Sequence, residues 1–384
     1  MSTSHTPVPL CDINAQYRAL KPEIDAAIAR VVTSGMAING PDVAAFEKEA
    51  AAYCGAKYAV GCASGTDALL LALHALDIGP GDEVILPTFT FFATMGSVCR
   101  TGATPVFADI DPETYNIDPA EIAKRITPRT KAIMPVHLFG QCADMDAIDR
   151  LAKTHDLHVV EDAAQSFGAE YRGVRCGTLG VVNCFSFYPS KNLGTLGDAG
   201  MVTTESPEIY KKLLALRNHG SEVKYYHKMM GWNARIDTLQ AAMLRVKLPH
   251  VDGWLEGRRQ AATRYDRLIE DAGLSGFLRR PVSRPECTHT FNQYVVRASG
   301  GHRDALVKHL KDSGIGCEIY YPLPLHLQEC IAHLGYKVGD YPISETAARS
   351  VLAFPMFAEI TEAQQRRVID TCASFVPQQL RKAA

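Results

Sequence analysis

The 384-residue chain has no surplus of either charge: 40 Lys and Arg stand against 42 Asp and Glu, a formal net charge of −2. A dedicated nucleic-acid binder carries a basic excess, so that class loses its support. Long apolar runs are missing as well. The longest, such as Ala68–Leu73, fall far short of the ~20 residues that a membrane-spanning helix needs. The N-terminus, MSTSHTPVPLCD, has neither the basic start nor the apolar centre of a signal peptide, so the cytoplasm is the expected compartment. Eleven cysteines are present, yet no two are spaced C-x-x-C. A structural zinc site needs such pairs, and no metal is expected. Cys54, Cys62 and Cys184 sit in apolar runs and read as buried free thiols. The chain also lacks internal repeats and low-complexity tracts.

What is present is an alternation. Lys57–Cys62 reads as a strand, Asp67–Leu76 as an apolar helix, and Glu83–Leu86 as a strand closed by Pro87. Phe91–Arg100 reads as a helix, Thr104–Ala108 as a strand, and Pro119–Ile126 as a helix capped by Asp118. Lys131–Val136, amphipathic Met145–Thr154 and Leu157–Val160 continue the pattern. Repeated β-α units predict a mostly parallel sheet with helices on both faces, and ligands at the carboxyl ends of its strands. The pattern changes near residue 237. Helical stretches Asp237–Leu248 and Trp254–Asp271, broken around Pro249, lead into strand-like Gln293–Arg297, helix Arg303–Ser313, strand Cys317–Tyr321 and helix Glu362–Phe375. That is an α+β pattern suited to a smaller second domain.

Three segments carry chemistry. CFSFYPSKNLGTLGDAG (Cys184–Gly200) sets Lys191 after an apolar strand and before Gly194, Gly197 and Gly200. A partly desolvated lysine there has a lowered pKa and a neutral amine able to form a Schiff base. A surface lysine in a glycine-rich turn has the same spelling. Glu161-Asp162-Ala163-Ala164-Gln165 follows another apolar strand. A buried carboxylate needs a cation, which a metal, a salt bridge or a protonated pyridine nitrogen can supply. Ala63-Ser64-Gly65-Thr66 precedes a helix, whose free amides and positive dipole end suit a phosphate. An ordinary capped helix looks the same. The loop fits neither G-x-x-x-x-G-K-[ST] nor G-x-G-x-x-G, so ATP and NAD lose support there.

The order phosphate loop, carboxylate, lysine resembles the DegT/DnrJ/EryC1/StrS sugar aminotransferases, fold-type I enzymes that use pyridoxal 5′-phosphate (PLP). The resemblance spans about Leu10 to Phe375. It rests on SGTDAL (Ser64–Leu69), PTFTFFAT (Pro87–Thr94), GATPVFADID (Gly102–Asp111), EDAAQSFGA (Glu161–Ala169), PSKNLG (Pro189–Gly194), RNHG (Arg217–Gly220), GWNARIDTLQAAM (Gly231–Met243) and YPLPLHLQ (Tyr321–Gln328). It implies an α/β fold of two domains. Residues 1–250 would form a large PLP-binding domain, with a mostly parallel, seven-stranded-type mixed sheet sandwiched by helices and an N-terminal helical segment. Residues 251–384 would form a small α+β domain.

The resemblance also implies roles. Lys191 would be the catalytic Schiff-base lysine and proton shuttle. Asp162 would pair with the pyridine nitrogen, with Gln165 near the ring hydroxyl. Gly65 and Thr66 would hold the phosphate through their amides, Ser186 would add a hydroxyl, and Phe91 would stack on the ring. Asn233 would reach the phosphate of the neighbouring subunit, which makes the working unit a homodimer. Ser190, Arg235, Tyr320, Tyr321 and His326 would line the sugar side. His137 and His219 read as structural, and Trp232 and Trp254 as packing residues.

The implied reaction moves an amino group from L-glutamate to a keto-sugar nucleotide, in amino-sugar, polysaccharide or glycoside biosynthesis. RIDTLQAAM with the preceding KYYH (Lys224–His227) favours a 3-keto over a 4-keto sugar. Ala37 and Tyr320 depart from members acting on 3-keto uronates, where an aromatic and a histidine are frequent. A dehydratase of the family would carry histidine in place of Lys191. A non-catalytic regulator with the same fold would have no need of Lys191, Asp162, Gln165 and the phosphate loop together.

Overall fold

The computed structural model of the protein describes residues 6–376. Three helices open it: α1 (Ile13–Ala19), α2 (Lys21–Ser34) and α3 (Pro41–Cys54). Seven strands then build one sheet: β1 (Tyr58–Cys62), β2 (Glu83–Pro87), β3 (Thr104–Ala108), β4 (Thr130–Ile133), β5 (His158–Asp162), β6 (Val182–Ser186) and β7 (Gly200–Thr204). Between and after them lie α4 (Gly65–Ala75), α5 (Phe92–Thr101), α6 (Pro119–Ala123), α7 (Met145–His155) and α8 (Pro207–Leu216).

The sheet order is β1-β7-β6-β5-β4-β2-β3. Only β7 runs antiparallel to its neighbours β1 and β6; the other pairings are parallel. The seven-stranded, mostly parallel mixed sheet expected from the sequence is therefore present. Both faces are buried, as a parallel sheet requires. Successive residues alternate between two cores. Ala59, Ile85, Val159 and Met201 pack with α3, α7 and the later helices. Val60, Val84, Leu86, Val160 and Val202 pack with α4, α5 and α8.

Register fixes which residues share the functional edge. Cys62 at the end of β1 and Ser186 at the end of β6 both pair with Gly200. Asp162 at the end of β5 pairs with Cys184. The Ser64–Gly65 loop, Ser186 and Asp162 thus come to one edge, with Gly200 between the first two.

The second half begins with α9 (Thr238–Lys247). A single 3₁₀ turn, Leu248–His250, contains Pro249, and α10 (Val251–Asp271) follows at once. The break expected at Pro249 exists, but the helix resumes earlier than the sequence suggested. Antiparallel strands Leu278–Arg279, Tyr294–Ala298 and Val351–Phe354 form a small sheet. Helices α10, α11 (Arg303–Asp312) and α13 (Glu362–Phe375) cover one face of it. Helix α12 (Pro342–Ser350) and the apolar set Phe89, Ile110, Val136 and Phe139 meet its other face.

The strand expected at Cys317–Tyr321 does not form. Ile315 and Glu318 make only single bridges, to Val8 and Ala353. Gly316 is bound by the N-terminal segment, its amide donating to the Val8 carbonyl. Beyond it, Pro322 and Pro324 supply no ladder donors. The chain instead turns back toward the large sheet. Packing also crosses the expected boundary at residue 250. Val8 lies in the core of the small sheet, whereas Leu325, Ile331 and Tyr341 lie in the core under α4 and α5. Residues 1–5 and 377–384 of the expected domains lie outside the described residues.

One buried network ties the end of β5 down. The Glu161 side chain is fully buried. It accepts from the amides of Gly177, Leu179 and Gly180 at 3.1, 2.7 and 2.8 Å. His137 Nδ1 accepts from the Ala143 amide at 3.2 Å, so Nε2 carries the hydrogen and donates to Glu161 at 2.8 Å. His137 is structural, as its sequence setting suggested. Glu161→Leu strands four donors at once, and a loss of about 3–5 kcal/mol is expected. Denaturant titration beside the wild type checks this, and an unchanged midpoint contradicts it.

Candidate active site

The edge gathers three elements of different chemistry. At the first, β1 ends and α4 begins. Ser64 caps α4: its hydroxyl accepts from the Asp67 amide at 3.0 Å and donates to the Asp67 carboxylate at 2.8 Å. The Ala68 amide bonds to the Ser64 carbonyl. That leaves the Gly65 and Thr66 amides without an intrahelical acceptor, at the positive end of the helix dipole. The loop is tightly wedged. A Cβ on Gly65 would stand 2.6 Å from Ser186 Cβ, and one on Gly200 would stand 2.3 Å from the Ser64 carbonyl oxygen. Two glycines therefore bring the loop, Ser186 and β7 close enough to share one small anion.

The second element is Asp162. Strand alternation sends Glu161 into its amide cage and Asp162 the other way. Asp162 is 4% exposed, and among the described residues it forms no ion pair. Its carboxylate accepts from the Thr94 hydroxyl at 2.7 Å and the Ala164 amide at 3.2 Å. Burial pushes its pKa up, while Thr94, Ala164, Lys191 and His137 pull it back. A buried carboxylate with only neutral hydrogen-bond partners is suited to a cation from outside the chain. Thr94 itself meets Thr90, in the loop before α5, hydroxyl to hydroxyl at 3.2 Å.

The third element is Lys191, half-buried just past β6, with its backbone amide on the Tyr188 carbonyl at 2.9 Å. Burial lowers its pKa to about 8, and the Asp162 carboxylate opposes that shift. Its amine is thus held closer to the neutral, nucleophilic form than a surface lysine.

Around these lie the remaining expected residues. Gln165 accepts from the Phe139 amide at 2.7 Å and donates to the Tyr321 hydroxyl at 2.9 Å. Burial raises the Tyr321 phenol pKa. Phe91 caps α5 and is 57% exposed, with its ring 6.2 Å from the Tyr321 ring. An aromatic left this open at the edge is available to a flat ligand and is not a core residue. Tyr320 and Ser190 are half-buried and Asn233 is exposed. Arg235 bridges to Cys62 and donates to the Asn218 amide oxygen at 2.8 Å, with its Nε buried and unpartnered.

His326 departs from its expected place on the sugar side. Its side chain is fully buried. Thr88 lies 2.7 Å from Nδ1 and Glu345 lies 3.3 Å from Nε2. A 3₁₀ turn, Leu325–Leu327, packs it beneath the edge, with the Leu325 amide on the Thr88 carbonyl. Burial lowers its pKa while Glu345 opposes that; enclosed and with both ring nitrogens partnered, it braces the edge from within in this structure. Thr94 was not foreseen. Its signal was the Thr90/Thr94 pair at i, i+4 in an otherwise apolar stretch.

Comparison with known proteins finds relatives along nearly the whole chain. The model of the DegT/DnrJ/EryC1/StrS aminotransferase family matches residues 18–373. A pleiotropic regulatory protein of Geobacillus stearothermophilus is 50% identical over 96% of this chain and 98% of its own length. A dTDP-3-amino-3,4,6-trideoxy-α-D-glucose transaminase of Streptomyces venezuelae is 47% identical over 96% of both chains. A UDP-N-acetyl-3-dehydro-α-D-glucosamine 3-aminotransferase of Acidithiobacillus ferrooxidans is 45% identical over 95% of this chain and 97% of its own. The crystal structure of S. venezuelae DesV in complex with a ketimine intermediate superposes with a TM-score of 0.92 at 45% identity, covering 97% of this chain and 99% of that one.

The Lys191 amine yields a pH prediction. With half of it neutral at about 8, capture of an aldehyde by the apo protein speeds up about tenfold per pH unit below that point. The rate then levels off above it. Stopped-flow absorbance on the apo protein measures this; a rate still climbing well beyond the midpoint contradicts a desolvated lysine. Thr94→Val removes a hydrogen bond to a buried carboxylate, and weakening of cofactor affinity by about tenfold is expected. Equilibrium dialysis checks it.

Proposed function

The chain belongs to the DegT/DnrJ/EryC1/StrS aminotransferase family, and we propose that it moves an amino group from L-glutamate to a 3-keto sugar carried on a nucleotide, using PLP. The observation that carries the reading is a buried carboxylate that forms no ion pair among the described residues, and a desolvated lysine whose charge acts on it from a distance, beside a free helix N-terminus. The residues fit PLP group by group. The Gly65 and Thr66 amides and the Ser186 hydroxyl suit its phosphate. Asp162 suits a protonated pyridine nitrogen, Gln165 the ring hydroxyl, and the exposed face of Phe91 the ring. Bound there, PLP supplies a sink for the electron pair left on the amino-bearing carbon.

In this reading Lys191 would hold the cofactor aldehyde until the amino donor takes its place, and its freed amine would then carry a proton between the donor carbon and the cofactor. Water would release the keto acid, and the same groups would serve the keto sugar in reverse. Asp162, its carboxylate held by Thr94 and Ala164, would favour a protonated ring nitrogen. Anchored phosphate and ring leave only the reacting groups to move. Two relatives bear names of 3-amino-sugar enzymes on different nucleotides, dTDP and UDP. That supports the 3-keto position over the 4-keto one and leaves the nucleotide open.

The site is shared between two copies of the chain in this reading. Met36, Ile38, Phe92, Tyr188 and Leu196 are exposed apolar side chains that a second copy could cover. Asn233, exposed on the same half of the chain, reaches the phosphate held by the other subunit, and Arg235, Ser190, Tyr320 and Tyr321 face the sugar. The regulatory name of the Geobacillus relative supports a second reading, in which the fold senses a ligand without turnover. A complete set of Lys191, Asp162 and Gln165 speaks for turnover.

Borohydride reduction of the purified protein is expected to fix PLP on Lys191, with the modified peptide identified by mass spectrometry. Turnover with glutamate is expected for 3-keto and not 4-keto sugar nucleotides. A colourless protein that takes up no PLP overturns the enzyme reading; preference for 4-keto sugars overturns the substrate. Lys191→Ala abolishes turnover. Mixing it with the inactive Asn233→Ala restores activity if sites are shared, and no recovery on subunit exchange rejects the shared site.

A further inference from the structure

The segment carrying Lys191 is gripped from below by a second lysine that the reaction does not use. Lys247, the last residue of α9, is 4% exposed. Its amine donates to the Gly194 carbonyl, three residues beyond Lys191. Among the described residues no carboxylate lies within ion-pair distance of it. The Trp254 ring, 6.0 Å away, is its aromatic neighbour, and Glu359 and Cys11 act on it from farther off. Burial lowers its pKa to about 8. An unpaired buried amine is destabilising, and an apolar residue of similar volume is often better tolerated at such a position. Stability therefore does not account for this lysine; the carbonyl it holds does.

That carbonyl belongs to a crowded turn. A Cβ on Gly194 would stand 2.6 Å from the Pro189 oxygen and 2.8 Å from the Tyr188 oxygen. The Lys191 amide closes on Tyr188 and the Thr195 amide on Phe187, both at 2.9 Å. Helix α9 grips the turn a second time. Gln240, seven residues before Lys247 and so on the same helix face, accepts from the Thr195 hydroxyl. Gly197 leaves room for the Gln240 amide, which a Cβ there would meet at 2.9 Å. The entry to the turn is fixed by the sheet, and its exit by two side chains of α9.

We propose that Lys247 is a positioning residue: by holding the Gly194 carbonyl it sets the turn Tyr188–Thr195 and so the placement of the Lys191 amine. This rests on Lys191 being the residue that captures PLP.

The test compares Lys247→Met, which keeps volume and removes the donor, with Lys247→Gln, which keeps a donor. The apo proteins are measured for thermal midpoint, PLP affinity and the rate at which Lys191 captures PLP, read by borohydride trapping. The holoenzymes are measured for kcat and KM. For Lys247→Met, capture and kcat are expected to fall about tenfold or more, as small misplacements of reacting groups do. KM for the donor should change less than about threefold, since substrate contacts are untouched. Lys247→Gln is expected to recover most of both. Thr195→Val, which releases the second grip, should give a smaller loss in the same direction.

Wild-type capture and kcat in Lys247→Met overturn the proposal. So does a loss in both variants that merely follows the folded fraction. If Lys247→Met does not fold, the graded response of Lys247→Gln and Thr195→Val decides in the same terms. Absence of capture in the wild type defeats the assignment of Lys191 instead, so the two failures are distinct.

Discussion

A buried carboxylate that forms no ion pair among the described residues sets the terms for this structure. Desolvating an ionised carboxylate is destabilising by several kcal/mol, and neutral hydrogen bonds offset only part of that. Asp162 has two, from Thr94 and Ala164. The surroundings are arranged so that the group cannot escape. Glu161, its neighbour on the strand, is locked by three amides and His137. The His137 amide binds the Asp162 carbonyl. Helix α5 is placed so that Thr94 meets the acid while Phe91 stays open at its start. A protein built this way is less stable empty than filled. A cationic ring that binds the folded state alone returns the missing interaction as stability, by mass action.

The same division of labour appears twice. Two adjacent acids, Glu161 and Asp162, point to opposite sides of one strand; one secures the backbone and the other waits for a ligand. Two lysines with depressed pKa values meet at one turn: Lys191 belongs to it and Lys247 holds its Gly194 carbonyl. In each pair burial alone does not separate the roles. Partners do: the group whose hydrogen bonds are all made inside the chain is a support, and the one left short is the working group. His326 obeys the same rule, with Thr88 and Glu345 taking both of its ring nitrogens.

Much of this was legible in the sequence, and what was not has physical causes. The sheet could be read because parallel strands are continuous apolar runs, and its ligand edge followed from topology. Lys191, Asp162 and Gly65 sit at strand ends, where a polar or small residue after an apolar run stands out. Thr94 did not stand out, because threonine on a helix face is as easily a filler as a donor. Lys247 carried no signal in the sequence, since periodicity does not tell which helix face is overlaid by a returning loop. The family resemblance put His326 on the ligand side, but only tertiary packing shows that its partners are internal. The missing strand at Cys317–Tyr321 has the same root. Its composition favoured a strand, yet a ladder needs a neighbour, and residues 8–10 had taken one side.

That last pairing has a consequence for how the molecule is made. Val8 bridges Ile315, the Met356 amide binds the Leu10 carbonyl, and Arg367 donates to Thr6. About three hundred residues must leave the ribosome before Val8 meets its partner, a long-range closure of the kind that slows folding. The beginning of the chain is therefore among the last parts to find its place. The large sheet can assemble during synthesis, while the small one waits for both ends of the chain and closes over the finished edge.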